Sequence, residues 1–78
     1  MYSNNQFKED LKKLGKHIKK LREKRNLTIK EVSLKTGIGI QYLYKIEQGK
    51  AYRVLIGKHL LKIANTLKIK MSELLDFS

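Results

Sequence analysis

The segment TIKEVSLKTGIGIQYLYKIEQGK, residues 28–50, reads as two short helices joined by a link of three residues. Thr28 is a favourable N-cap, and Glu31 follows three positions later, the spacing of a capping box. Val32 and Leu27 supply apolar contact, and Ser33 is small enough to let another helix approach closely. Gly37 ends the first of the two helices as a C-terminal cap. The link Gly37-Ile38-Gly39 is so short that the helices on either side must cross steeply. The second helix covers about residues 40–48 and stops at Gly49. Within it, only Leu43 and Ile46 have the spacing of a buried stripe. At about 100° per residue, Gln41 and Gln48 fall opposite that stripe, with Tyr44 and Lys45 on either shoulder. None of these four outward residues is acidic, so the face carries nothing that repels a phosphate.

The rest of the chain is helical in the same way. There is no proline, and apolar residues recur every three or four positions. A long first helix is expected over residues 7–25, with Phe7, Leu11, Leu14, Ile18 and Leu21 as its apolar stripe. Lys8, Lys12, Lys16, Lys20 and Lys24 give it a basic face, and Asn26 can leave the helical conformation at its end. Residues 1–6 read as a flexible leader, and residues 7–78 as one domain. Residues 50–56 read as a loop carrying Lys50, Tyr52 and Arg53. A fourth helix is expected over about residues 57–67, burying Leu60, Leu61, Ile63, Ala64 and Leu67. A short fifth helix over about residues 71–76 offers Leu74, Leu75 and Phe77. The fold class is therefore all-α, with five helices.

Composition narrows the function. Seventy-eight residues hold one small core, with little room for a separate catalytic domain. Lys and Arg number 18 against 7 acids, a formal charge of +11, which points to a polyanionic partner such as nucleic acid or an anionic membrane surface. With no cysteine, disulfides and thiolate-bound zinc are excluded. His17 and His59 stand apart and outside any metal-ligand spacing, and no phosphate-binding loop or catalytic pair is visible. No enzyme activity, metal or cofactor is expected. No apolar run approaches the roughly 18 residues that span a bilayer, and no signal peptide is evident, so the expectation is a soluble, cytoplasmic protein.

Residues 14–50, LGKHIKKLREKRNLTIKEVSLKTGIGIQYLYKIEQGK, together with the later LLKIANTLKIKMSELL, resemble the Cro/C1-type helix-turn-helix regulators. The motifs that carry the resemblance are Leu27-Thr28, Gly37, the run Ile46-Glu47-Gln48-Gly49-Lys50, and Ile63-Ala64 with Leu67. The resemblance implies a five-helix bundle of the lambda-repressor-like type whose third helix enters the major groove of double-stranded DNA. It implies base contacts from Ile40, Gln41, Tyr42 and Lys45, whereas the helical geometry favours Gln41, Tyr44 and Lys45. Ile40 would either read a thymine methyl or fold back into the core, while Gln41 would read an adenine edge and Lys45 a guanine edge. The resemblance also implies an ion pair between Arg22 and Glu47 that holds the first helix against the third. Phosphate contacts are expected from Thr28 and Lys30 at the start of the second helix, and from Lys50, Tyr52 and Arg53 after the third. Ile29 stands where many relatives carry glutamine, which removes one phosphate hydrogen bond.

The resulting expectation is a sequence-specific transcriptional regulator, such as a repressor. It would act as a homodimer on a pseudo-palindromic operator and associate with the nucleoid through DNA. Leu55, Ile56, Leu75 and Phe77 offer either a dimer contact or satellite core packing, and for Leu75 the core is the favoured place. Two other readings use the same residues. One is an antitoxin whose main partner is a toxin protein, and the other is a basic amphipathic module that binds membrane or RNA.

Overall fold

The computed structural model describes residues 3–55 and 58–77, and at Val54 and Leu55 the backbone alone. Among the described residues there are five α-helices and no strand, so the all-α expectation holds. The helices are α1 (Asn4–Lys24), α2 (Ile29–Thr36), α3 (Ile40–Glu47), α4 (His59–Leu67) and α5 (Met71–Leu74), with a 3-10 turn at Tyr52–Leu55.

Helix α1 begins three residues before the start expected from its apolar stripe. The Ser3 hydroxyl accepts the Gln6 N–H at 3.1 Å and caps it. The polar run Asn4-Asn5-Gln6 adds a helical turn without adding to the stripe, so periodicity alone does not reveal it. The segment after α3 is not all loop, since Tyr52–Leu55 closes a 3-10 turn. Helix α4 begins at His59 rather than near residue 57, and residues 56 and 57 lie outside the described ones. Helix α5 ends at Leu74, two residues short of the expected end.

Each helix turns one stripe into a common core. Leu11, Leu14 and Ile18 come from α1, Val32 from α2, Leu43 and Ile46 from α3, Ile63, Ala64 and Leu67 from α4, and Leu74 from α5. Ile38 in the α2–α3 link and Ala51 after α3 complete it. Leu61 does not join this core and is 51% exposed. In α4, Leu60, Ile63, Ala64 and Leu67 already occupy positions i, i+3, i+4 and i+7 of one side, and Leu61 sits about 100° away from it. Leu75 is also exposed, while Phe77 packs partly buried against the core.

Helix α1 packs on α3, and α2 packs on both α3 and α4. The α1–α3 crossing is very close. A Cβ at Gly15 would overlap the Ile46 carbonyl oxygen and lie 2.6 Å from that of Glu47. Gly49, at φ 74°, rests against the backbone of Lys12, where a Cβ would come within 2.6 Å of its Cα. The end of α3 is thus pressed backbone to backbone on α1. Two residues beyond Gly15, His17 Nε2 lies 2.8 Å from the Glu73 carbonyl. A carbonyl only accepts, so this nitrogen carries the proton and ties α5 to α1.

Candidate functional site

The orientation of α3 is fixed at both ends. At its start, Gly37 adopts φ 77°, the left-handed conformation that closes α2. Ser33 Oγ donates to the Ile38 carbonyl at 2.6 Å. Buried Thr36 Oγ1 accepts the Ile38 N–H at 3.1 Å and donates to the Val32 carbonyl at 2.7 Å. The link is therefore tied into α2 by side chains as well as by its backbone. Sequence reasoning gave Ser33 a role in helix approach and Thr36 none. A hydroxyl within reach of the turn was the only available signal for these hydrogen bonds.

At its end, α3 is held by Glu47. Arg22 Nε donates to Glu47 Oε2 at 2.6 Å, and Nη2 donates to Oε1 at 3.0 Å, a two-pronged pair. Arg22 Nη1 also donates to the Leu27 carbonyl at 2.8 Å, which adds the α1–α2 connection to the same network. The two side chains are 12% and 7% exposed, so water screens the pair poorly. The hydrogen bond to Glu47 raises the Arg22 pKa above its ordinary value, against the opposing effect of burial. The pair joins α1, α3 and the α1–α2 connection.

With both ends fixed, α3 presents one face outward. Ile40, Gln41, Tyr44, Lys45 and Gln48 line an open groove of about 550 Å³, together with Ile29 from α2 and Lys50 beyond α3. Ile40 and Tyr44 are 48% and 53% exposed. No carboxylate lines the groove, and two lysines do. Of the expected base-contact residues, four come together here and Tyr42 does not. Tyr42 is half-buried, with its ring 5.2 Å from that of His59 and its hydroxyl enclosed without a hydrogen-bond partner among the described residues. The helical geometry, rather than the resemblance, describes where the two tyrosines point. Ile29 was read only as a lost phosphate contact, yet it forms one wall of the groove.

Of the expected phosphate contacts, Lys50 lines this groove. Thr28 caps α2 through a complete capping box: its hydroxyl accepts the Glu31 N–H at 3.1 Å, and its own N–H donates to Glu31 Oε1 at 2.9 Å. Among the described residues, the first-turn amides this leaves for a phosphate are those of Ile29 and Lys30. The hydrogen bonds from Thr28 hold the Glu31 carboxyl below its ordinary pKa of 4.5. Lys30, Lys50 and Arg53 are exposed. Tyr52 is exposed too, but its ring stacks on Phe7 of α1, with centroids 6.1 Å apart and planes at 22°. Of the residues read as dimer contact or satellite core, Leu75 is exposed rather than in the core and Phe77 is half-buried, while Ile56 and the side chain of Leu55 lie outside the described residues. Among the described residues, no helix is long and apolar enough to cross a membrane.

Two short helices at a fixed angle, the second offering a polar and basic face with its ends locked from behind, define a helix-turn-helix module. The chain belongs to the helix-turn-helix domain family, whose model matches residues 15–76. Neither a curated protein nor a solved structure gives a significant match.

Proposed function

We propose that the protein is a sequence-specific regulator of transcription that binds double-stranded DNA with α3 in the major groove. The observation that carries this reading is the outward face of α3. It is a row of exposed Ile40, Gln41, Tyr44, Lys45 and Gln48, free of acids, on a helix whose opposite side is clamped to α1. A major groove ~12 Å wide accepts a helix, and glutamine and lysine match the exposed edges of adenine and guanine. Lys50 lines the groove and Lys30 and Arg53 are exposed, so all three are candidates for phosphate contact, and the +11 charge draws the chain to DNA over longer range.

Helix α3 has 8 residues. At ~1.5 Å per residue it is ~12 Å long, which covers about four base-pair steps. One copy therefore reads only a short code, and a homodimer on a pseudo-palindrome with half-sites ~34–36 Å apart is the economical solution. Exposed Leu75 belongs to the surface proposed for that contact. Selection of bound duplexes from a random pool at moderate salt tests the function. Enrichment of a two-fold related sequence supports it, and a pool that stays random after several rounds contradicts it.

A further inference from the structure

We propose that a groove between α1 and the residues after α5 is a second duplex-binding site, which holds a phosphate backbone without regard to sequence. With α3 on an operator, as in the DNA-binding reading above, the protein then bridges two duplexes. Lys13, Lys16 and Lys20 line this groove from α1 with His17 among them, and Asp76 and Phe77 form its other wall. It is open, with a volume of about 300 Å³. The hydrogen bond from His17 to the Glu73 carbonyl pins α5 beside α1, and partly buried Phe77 packs on the core, so that wall is held in place. At ~100° per residue, the three lysines lie about 100–160° around α1 from Gly15, which faces the end of α3. Helix α1 thus stands between this groove and α3, and a straight duplex seated on α3 does not reach it.

Charge and spacing select the occupant. The groove at α3 is lined by two lysines and this one by three, so positive charge is at least as dense away from the reading face as on it. Lys13 and Lys20 are separated by ~10.5 Å along the helix axis. One strand of B-DNA carries a phosphate every ~3.4 Å along its axis, so about three phosphates run past the three ammonium groups. All three side chains are exposed and can adjust to the backbone they meet. Asp76 is the one carboxylate lining the groove among the described residues, and it opposes an anion there. Glu9 and Glu23 fall on the same side of α1 and bracket the three lysines. An anionic membrane is the poorer occupant, because the apolar stripe of α1 is buried in the core and offers little to insert.

The test saturates the full-length protein with its selected operator duplex and titrates in an unrelated, labelled duplex, followed by fluorescence anisotropy. The loaded protein binds this second duplex, with a slope of log affinity against log salt of about −2.7 for three phosphates. Its affinity therefore falls about fortyfold between about 50 and 200 mM salt. Lys13→Ala, Lys16→Ala and Lys20→Ala each reduce the slope by ~0.9. The triple variant, in which alanine favours the helix, loses the second duplex and keeps the operator sequence preference. Asp76→Asn, which removes the opposing charge, tightens the second duplex. A loaded protein that takes up no second duplex, or a triple variant that binds it as well as the native chain, overturns the proposal and leaves readout by α3 intact. Phosphatidylserine vesicles bound in place of the duplex, and lost in the triple variant, assign the groove to a membrane and overturn it as well. A pool that yields no operator overturns the reading at α3 and, with it, the bridging.

Discussion

Arg22 and Glu47 show how much one pair of side chains sets in this protein. Glu47 accepts two hydrogen bonds from Arg22, and Arg22 also reaches the carbonyl that precedes α2. Glu47→Ala leaves a poorly hydrated guanidinium without its counter-charge. The expected loss is about 2–4 kcal/mol, between the values for buried and surface pairs, measured as a denaturant midpoint. Glu47→Gln, which keeps the shape and part of the hydrogen bonding, loses less. Glu31 behaves differently because it is fully exposed. Its carboxyl pKa is lowered in the folded chain by the hydrogen bonds from Thr28. Its contribution is therefore fully present above the ordinary value of 4.5 and disappears as pH falls through the lowered one. Thermal melts between about pH 6 and about pH 3 show a steeper loss for the native chain than for Glu31→Gln, which keeps the cap geometry without the titration. Both interactions were legible in the sequence, the capping box from its spacing and the ion pair from the family resemblance. The inward turn of Tyr42 was readable only from the helical geometry, because a tyrosine serves a wet or a dry surface equally well.

Helix α3 is useful only because neighbouring elements fix its back and its ends. Gly15 in mid-helix looks like a weak point, since alanine favours a helix there by about 1 kcal/mol. Packing reverses the sign, because a Cβ would overlap the carbonyls of Ile46 and Glu47. Gly15→Ala is expected to destabilise by about 1–3 kcal/mol and to lower DNA affinity by displacing α3. Gly39→Ser serves as the contrast: the site has open space and φ −59°, so stability should hold or rise slightly. Equal melting temperatures for native and Gly15→Ala proteins would remove the close crossing from the account. The helices themselves were readable from apolar period and caps. The contact at Gly15 was not, because a glycine's neighbours across a helix crossing leave no local signature. The 3-10 turn at Tyr52–Leu55 and the outward Leu61 were missed for a related reason. Short turns have no period, and an apolar residue at the edge of a stripe is assigned by tertiary packing alone.

At the scale of the whole molecule, the chain divides into a side that holds α3 in place and a side that exposes it. Helix α1 with its glycine contacts and Arg22 supplies the first, and α3 with the start of α2 and Lys50 supplies the second. Excess positive charge predicts strong salt dependence of binding. Lys50→Ala should weaken all duplexes to a similar degree and reduce the slope of log affinity against log salt by ~1, the mark of one lost phosphate contact. A polyanionic partner was visible in the charge and DNA binding in the family resemblance, but the apolar groove was not, because Ile29 and Ile40 belong to different helices and line one groove only in the fold. The most direct measurement is the affinity of native, Gln41→Ala and Lys45→Ala proteins for every single-base variant of the selected duplex. Groove readout by α3 predicts that each substitution loses about 1–3 kcal/mol of discrimination at its own defined position and leaves preferences elsewhere intact. Unaltered preference at all positions in both variants would mean that α3 does not touch the bases.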